Sequence, residues 1–184
     1  TGSQHLFLSN FMPVPRFFLP DILGQLTTGA FNGKMHYVNG LPNIFIGIVL
    51  TVLVVLFFLN KKIERREKIW SGILVAVLVL SMWIRTFNSI WHGGAIEFWF
   101  PTRFAFILSF VLILLAYRGL QVFERNTKKQ LIIIAVIFGL IFAMSLKVNQ
   151  EKWWLLGLDV LVAIMTVLLL NKWILLGMFT KKLK

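Results

Sequence analysis

The residues best suited to chemistry lie in one stretch, SIWHGGAIEFWFPTRFAF at residues 89–106, between two long apolar runs. His92 can act as a hydrogen-bond donor or a general base, because imidazole titrates near neutral pH. Gly93 and Gly94 follow it and permit a close approach of the backbone to a ligand. Arg103 carries a planar guanidinium that can hold a phosphate or a carboxylate at two points. Together these residue types predict a site for an anionic substrate.

A plainer structural role is open for each of these residues. His92 can be an ordinary solvated loop residue, and Arg103 can be an anchor at the membrane interface. Glu97 is the acid of this loop, and it is either part of the site, a solvated carboxylate or an ion-pair partner of a nearby arginine. The loop's large aromatic residues are typical of the belt found at membrane–water interfaces; they are Trp91, Phe98, Trp99 and Phe100.

Arg85 lies inside the second apolar run, near the end that leads into this loop. Its long side chain can snorkel to the headgroup layer from there. However, Arg85, Asn88 or Ser89, and His92 recur at the three- to four-residue interval that shares one face of a helix. A polar stripe on an otherwise apolar helix is expected to face protein or water rather than lipid. We therefore predict that Arg85 belongs to the same site as His92.

Asp159 lies several residues inside the last apolar run. A carboxylate costs roughly 2.5–3.5 kcal/mol at the centre of a membrane helix and less near its edge, so it needs a partner. Arg85, at a similar depth, is the partner that we predict, in either a structural ion pair or a functional site. The acids and histidines lack the tight spacing of metal ligands, so no metal site is predicted. Cysteine is absent, and so are soluble catalytic motifs such as the P-loop.

Composition sets the kind of element that must position these residues. The chain has 184 residues, of which 58% are hydrophobic and 14% charged, and its mean hydropathy is +0.82. Soluble domains average about 45–50% apolar and about 25% charged residues, so a soluble domain is excluded. Transmembrane β-strands are only about ten residues long, and the apolar runs here are longer. We predict an all-α integral membrane protein, a single domain over 1–184, with about five transmembrane helices at 43–60, 69–91, 104–120, 131–146 and 153–171.

The net charge of +12 is concentrated in short clusters at the ends of the apolar runs. This placement favours a role in membrane topology and argues against a nucleic-acid partner. Three clusters fall on one side of a five-span arrangement: 61–68, 118–129 and the basic tail at 172–184. The positive-inside rule assigns that side to the cytoplasm. The N-terminal segment and the 92–103 loop then face outward.

Residues 1–42 do not form a clean span, because prolines and glycines interrupt them. Within them, PDILGQL at 20–26 predicts a short helix with a proline and an acid at its start. We expect an extracytoplasmic amphipathic segment that lies either on the outer membrane surface or among the spans. The chain starts with Thr1 instead of methionine, so we expect it to be a portion of a longer protein.

Several stretches together resemble the bacterial YfhO family of many-spanning membrane proteins. The resemblance covers about residues 16–120, and its most specific part is the Trp-His pair followed by F-P-x-R-F at the head of a helix. Thr102 stands where a Tyr or Asn is expected, and Arg103 keeps its place. The matching stretches are LPDILGQLTTGAF at 19–31, GLPNIFIGIVL at 40–50, FFLNKKIERREK at 57–68 and IWHGGAIEFWFPTRFAFILSFVLILLAYRGL at 90–120.

The resemblance implies a function. YfhO-type proteins are similar to GT-C glycosyltransferases, large helical bundles that take a sugar from a polyprenyl-phosphate carrier at the outer leaflet of the bacterial cell membrane. By that likeness, Arg85 and Arg103 would hold the carrier phosphate, and His92 and Glu97 would line the same cleft. The implied partners are membrane lipids, the lipid-linked sugar and an envelope polymer such as lipoteichoic acid, with no further cofactor. The catalytic acid of such enzymes lies in an early external loop, which we expect to fall outside this chain.

Two other functions remain open from the sequence. A transporter or flippase-like protein for lipid-linked substrates would use Arg85, Arg103 and Asp159 to mark its pathway. A non-catalytic membrane scaffold would carry the same residues as interfacial anchors. The enzyme differs from both in requiring the arginines for sugar transfer.

Overall fold

A computed structural model describes residues 13–30, 40–94, 102–124, 126–148 and 153–182. These residues form helices joined by turns and irregular segments, with one isolated β-bridge, so the all-α prediction is confirmed. The helices are α1 (Asp21–Gly24), α2 (Ile48–Leu59), α3 (Arg65–Trp83), α4 (Arg85–Trp91), α5 (Ala105–Gln121), α6 (Lys128–Val148) and α7 (Trp153–Lys182).

The centre of the described part is the packing of α2 against α5. α2 is apolar along its whole length, and Val52 and Phe57 are fully buried. Gly119 of α5 permits the close crossing, because a Cβ there would lie 2.8 Å from the carbonyl oxygen of Leu53 and 3.2 Å from Cβ of Phe57. A larger residue at this position would push the two helices apart.

α6 and α7 are the two described helices that are long and apolar enough to cross a membrane. Their apolar stretches, Lys128–Lys147 and Trp153–Lys172, are each 20 residues long, which matches the length that a bilayer core requires. Only 22% and 17% of those stretches are buried within the protein, so most of their apolar side chains face outward. Such a surface is stable against lipid and unstable in water.

The described residues do not confirm the count of about five membrane spans predicted by the sequence. α2 has 12 residues and is about 18 Å long, which is short of the roughly 30 Å hydrocarbon core. It begins late, after Gly47, whose φ of 92° is not helical. α5, with 17 residues, is also apolar but shorter than a full span. α7 continues as a helix to Lys182, beyond the end predicted at 171.

The predicted span 69–91 is divided into α3 and α4. Between them Ile84 is extended, with φ −95° and ψ 127°, and it pairs with Pro15 in an antiparallel bridge. The backbone N–H of Arg16 donates to the carbonyl of Trp83 at 2.9 Å, and that of Arg85 donates to the carbonyl of Val14 at 3.1 Å. The N-terminal segment therefore supplies hydrogen bonds at the point where the helix is interrupted.

The sequence left open whether the N-terminal segment lies on the outer membrane surface or among the spans. Its described part, residues 13–30, lies among the helices. α1 packs against α6 so closely that a Cβ on Gly24 would lie 3.2 Å from the carbonyl oxygen of Met144. Ile22 belongs to the apolar core with Met82 and Leu108. Residues 1–12 and 31–39, the rest of the predicted external segment up to Gly40, lie outside the described part of the chain.

Candidate functional site

The short helix α4 carries the predicted polar stripe. Asn88 and Ser89 are 2% and 3% exposed, so the middle of the stripe faces protein. Arg85 and His92, at its two ends, are half-buried. The Ser89 hydroxyl donates to the carbonyl of Arg85 at 3.0 Å, and Nδ1 of His92 lies 2.9 Å from the carbonyl oxygen of Asn88. This contact orients the imidazole, because a carbonyl oxygen can only accept and Nδ1 must therefore carry the proton.

A second arginine joins this stripe from a distant part of the chain. Nη1 of Arg16 donates to Oδ1 of Asn88 at 3.1 Å. Arg16 and Arg85 directly follow the two bridge residues, Pro15 and Ile84, so their backbones lie close together. The break between α3 and α4 therefore brings two arginines from distant parts of the sequence to one region of the fold.

Arg103 lies in the turn that packs beside the end of α4. The rings of Trp91 and Phe104 are stacked, with centroids 4.7 Å apart and planes 10° apart. The rings of His92 and Phe104 are 6.1 Å apart. Thr102 also connects this turn to the segment before α2, because its hydroxyl donates a 3.4 Å hydrogen bond to the carbonyl of Leu41. Phe104 is buried, whereas its neighbour Arg103 is exposed.

We call these residues the arginine rim: Arg16, Arg85, Asn88, His92 and Arg103. The backbone bridge and the contacts of Phe104 hold three separate segments of the rim together. Guanidinium and imidazole groups can bind an anion with directional, charge-assisted hydrogen bonds. Glu97, which the sequence also assigned to the site, lies outside the described residues.

Asp159 has a different partner from the one predicted. Its carboxylate is 2% exposed. One oxygen accepts the backbone N–H of Thr28 at 2.8 Å, and the other accepts the Thr28 hydroxyl at 2.6 Å. These contacts correct the prediction of an ion pair with Arg85, since the described contacts of Asp159 include none with that residue. The sequence missed Thr28 because it lies 131 positions away, in an irregular turn.

Two more polar contacts fasten the same N-terminal segment to α6. The hydroxyls of Thr27 and Ser145 lie 2.5 Å apart, and both residues are buried. Lys147 forms an ion pair with Asp21, with 2.7 Å between Nζ and Oδ1. Together with the bonds to Asp159, these contacts fix the segment that also contains Arg16. Ser145, Lys147 and Asp159 thus have a structural role in holding the segment that contributes Arg16 to the rim.

A comparison with protein families completes this description. The sequence profile of the family described as "Bacterial membrane protein YfhO" matches residues 1–183. This chain belongs to the YfhO family. The match covers essentially the whole chain, and it therefore extends the resemblance seen over 16–120 to the last helix. No curated protein and no solved structure matches the chain significantly.

Membership of the YfhO family and the two long lipid-facing helices place the protein in a membrane. Within the described ranges, no group of three or more histidine, aspartate or glutamate side chains is arranged to hold a metal ion. The arginine rim is the candidate site of this chain, and its members are arginine, histidine and asparagine side chains. Arg16 is the member that sequence reasoning missed, because a contact across 72 positions leaves no periodic signal.

Proposed function

We propose that this chain is part of a membrane glycosyltransferase that moves a sugar from a polyprenyl-phosphate carrier to a cell-envelope polymer, of the lipoteichoic-acid type. The observation that carries the proposal is the bond from Arg16 to Asn88 in α4, the short helix that also carries Arg85 and His92, with the turn of Arg103 packed beside it. A phosphate-linked donor needs such cations, because negative charge develops on the phosphate as the sugar leaves. Membership of the YfhO family supports the same reaction class.

The arginines would act on the leaving group. In the transfer, the bond between the sugar's anomeric carbon and the phosphate oxygen breaks, and the acceptor hydroxyl forms a new bond to that carbon. The hydroxyl proton passes to a general base, and the carrier phosphate keeps the electron pair. Arg85 and Arg103 stabilise this anion, and Arg16 adds a third guanidinium. His92 contacts the phosphate or the acceptor hydroxyl through Nε2, the ring nitrogen that does not face Asn88.

The proposed topology places the rim outside the cell. α3 has 19 residues and is about 28 Å long, and it runs from a basic loop to the rim. Lys62 of that loop forms an ion pair with Glu124 of the α5–α6 connection at 2.9 Å, and Glu67 at the start of α3 pairs with Arg118 near the end of α5 at 3.0 Å. Both basic loops therefore lie at one end of the bundle, as the positive-inside rule requires of cytoplasmic loops in a multi-pass protein of the bacterial cell membrane.

Membrane lipids, the lipid-linked sugar and the envelope polymer are the proposed partners. The lipid-linked sugar is the donor substrate, and the proposal includes no other cofactor and no nucleic acid. The catalytic base is proposed to be an acid outside this chain. Glu97 is also proposed to line the sugar cleft.

The experiment is substitution in the intact protein, followed by measurement of sugar on the envelope polymer. Arg85→Ala and Arg16→Ala are each expected to lower transfer by about 10²- to 10³-fold, the effect of removing one donor aimed at a developing charge. Arg16→Lys is expected to restore part of the loss, because an ammonium keeps the charge and lacks the fork. Arg65→Ala, an exposed arginine at the basic end of α3, is the control.

All four variants must insert in the membrane at the wild-type level. Normal sugar transfer by inserted Arg85→Ala protein would contradict the enzyme and favour a scaffold. The transporter alternative uses Arg85, Arg103 and Asp159 to mark its pathway, whereas the bonds from Thr28 are consistent with a structural role for Asp159. Lost movement of carrier across vesicles, with transfer chemistry intact, would favour the transporter.

A further inference from the structure

A small polar pocket lies at the end of the bundle opposite the arginine rim. It forms where the turn after α2 meets the α5–α6 connection, and its volume is about 70 Å³. One water occupies about 30 Å³, so the pocket has room for about two waters or for the oxygens of one phosphate group. Leu56 and Phe123 form an apolar floor, and the remaining lining residues are polar.

The polar groups that form the walls are mostly bonded to the protein itself. Nδ2 of Asn60 donates to the carbonyl of Val122 at 2.6 Å, and Nε2 of Gln130 donates to the carbonyl of Leu59 at 3.0 Å. Thr127 and Gln130 form a capping box at the start of α6, with contacts of 2.8 and 3.3 Å. These bonds fix the shape of the pocket and use the hydrogen-bonding groups of its lining residues.

The exception is the side-chain amide of Asn126. Its Nδ2 is buried and has no hydrogen-bond partner among the residues that the structure describes. The backbone N–H of the same residue donates to Oδ1 of Asn171 at 2.9 Å, which holds Asn126 in position. A buried amide donor without a partner is unfavourable, and native structures rarely leave one without a reason. Asn126 also lines the pocket, so a rotation of its side chain toward an acceptor there would satisfy the amide.

The charges around the pocket determine which acceptor fits. Lys61 and Glu124 are the charged residues among the described lining of the pocket. Glu124 is neutralised by a 2.9 Å ion pair with Lys62. Five further described basic residues lie in the same loops or at the adjoining helix ends, against two further acids, Glu64 and Glu67: the basic residues are Arg65, Arg66, Lys68, Lys128 and Lys129. The positive end of the α6 dipole adds to this field. An anionic acceptor is therefore favoured over a neutral one.

We propose that this pocket binds a phosphate group, and that its source is the headgroup of an anionic phospholipid. The apolar stretch of α6 starts at Lys128, two positions after Asn126, so the pocket lies at the depth of lipid headgroups. Anionic lipids are attracted to basic segments at this depth. Free phosphate has the same chemistry and is the other possible source. The proposal is independent of the arginine rim and of sugar transfer.

The experiment measures binding of labelled phosphatidylglycerol to the purified chain in phosphatidylcholine nanodiscs. Asn126→Asp replaces the donor by a carboxylate of nearly the same size, and Lys61→Gln removes the charge that lines the pocket. Each is expected to weaken binding by about tenfold, the loss of one hydrogen bond to a charged group. Lys129→Gln is the matched control, since it removes one exposed charge of the same surface outside the pocket. It is expected to weaken binding less than about twofold.

Three results would overturn the proposal. Equal losses for Lys129→Gln and Lys61→Gln would indicate diffuse attraction to a basic surface. Equal binding of phosphatidylglycerol and phosphatidylcholine would exclude recognition of a headgroup. Stabilisation by millimolar inorganic phosphate, with no further gain from phosphatidylglycerol, would make free phosphate the ligand. Displacement of the labelled lipid by inorganic phosphate would support a shared phosphate pocket. If Asn126→Asp does not fold, the comparison of Lys61→Gln with Lys129→Gln alone tests the proposal.

Discussion

Asp159 shows how a buried carboxylate is held within a membrane-spanning helix. Both of its oxygens accept hydrogen bonds from Thr28, one from the backbone and one from the hydroxyl. Hydrogen bonds to charged groups contribute about 1.5–3 kcal/mol each, and the cost of inserting the acid is of similar size, roughly 2.5–3.5 kcal/mol at a helix centre. The carboxylate is therefore balanced locally by one residue of the N-terminal segment. Its effect is to fasten that segment to α7.

Thr28→Val tests this interpretation at the residue scale. The substitution keeps the shape of the side chain and removes the hydroxyl donor, so we expect the free energy of unfolding to fall by about 1–3 kcal/mol. Denaturant unfolding of the purified protein in detergent measures the loss. Thr166→Val is the control, because Thr166 is buried and its hydroxyl bonds only within α7, to the carbonyl of Val162 at 2.7 Å. Equal losses for the two variants would show that Asp159 gains little from Thr28.

At the scale of elements, the close crossing of α2 and α5 depends on Gly119, which has no side chain. Gly119→Ala would place a Cβ 2.8 Å from a backbone oxygen of α2, and backbone cannot rotate away as a side chain can. We expect the free energy of unfolding to fall by about 1–3 kcal/mol. In contrast, Gly139→Ala in α6 meets nothing within 4 Å and should stabilise that helix by up to about 1 kcal/mol. Thermal unfolding of both variants is the measurement, and a stabilised Gly119→Ala protein would contradict the close crossing.

Elements also show which parts of the fold the sequence could predict. The runs 131–146 and 153–171 correspond to α6 and α7 because long apolar segments have one stable form in lipid. The interruption at Ile84 was not predictable, because no proline or glycine marks it and its cause is a pairing with Pro15. Arg16 was missed for the same reason. Periodicity reports on neighbours along one helix, whereas the rim is assembled from segments far apart in sequence.

The whole molecule has two chemically different ends. One end carries the arginine rim, in which cations are positioned by buried Asn88 and by the packing of Trp91 on Phe104. The other end carries basic loops whose ion pairs are largely exposed, such as Lys62 with Glu124. Exposed pairs contribute at most about 1 kcal/mol to stability, so these charges matter more for orientation in the membrane. The proposed enzyme requires the rim to face outward.

The absence of cysteine makes that orientation directly measurable. Phe18→Cys would place a thiol at an exposed position beside Lys147, on the end proposed to be external. Lys129→Cys would place one at the basic end, at the start of α6. In intact cells a membrane-impermeant maleimide should label the first variant and leave the second unlabelled until the membrane is opened. Both variants should react equally in detergent. The reverse pattern in cells would place the arginine rim in the cytoplasm, where a carrier-linked sugar presented at the outer leaflet could not reach it.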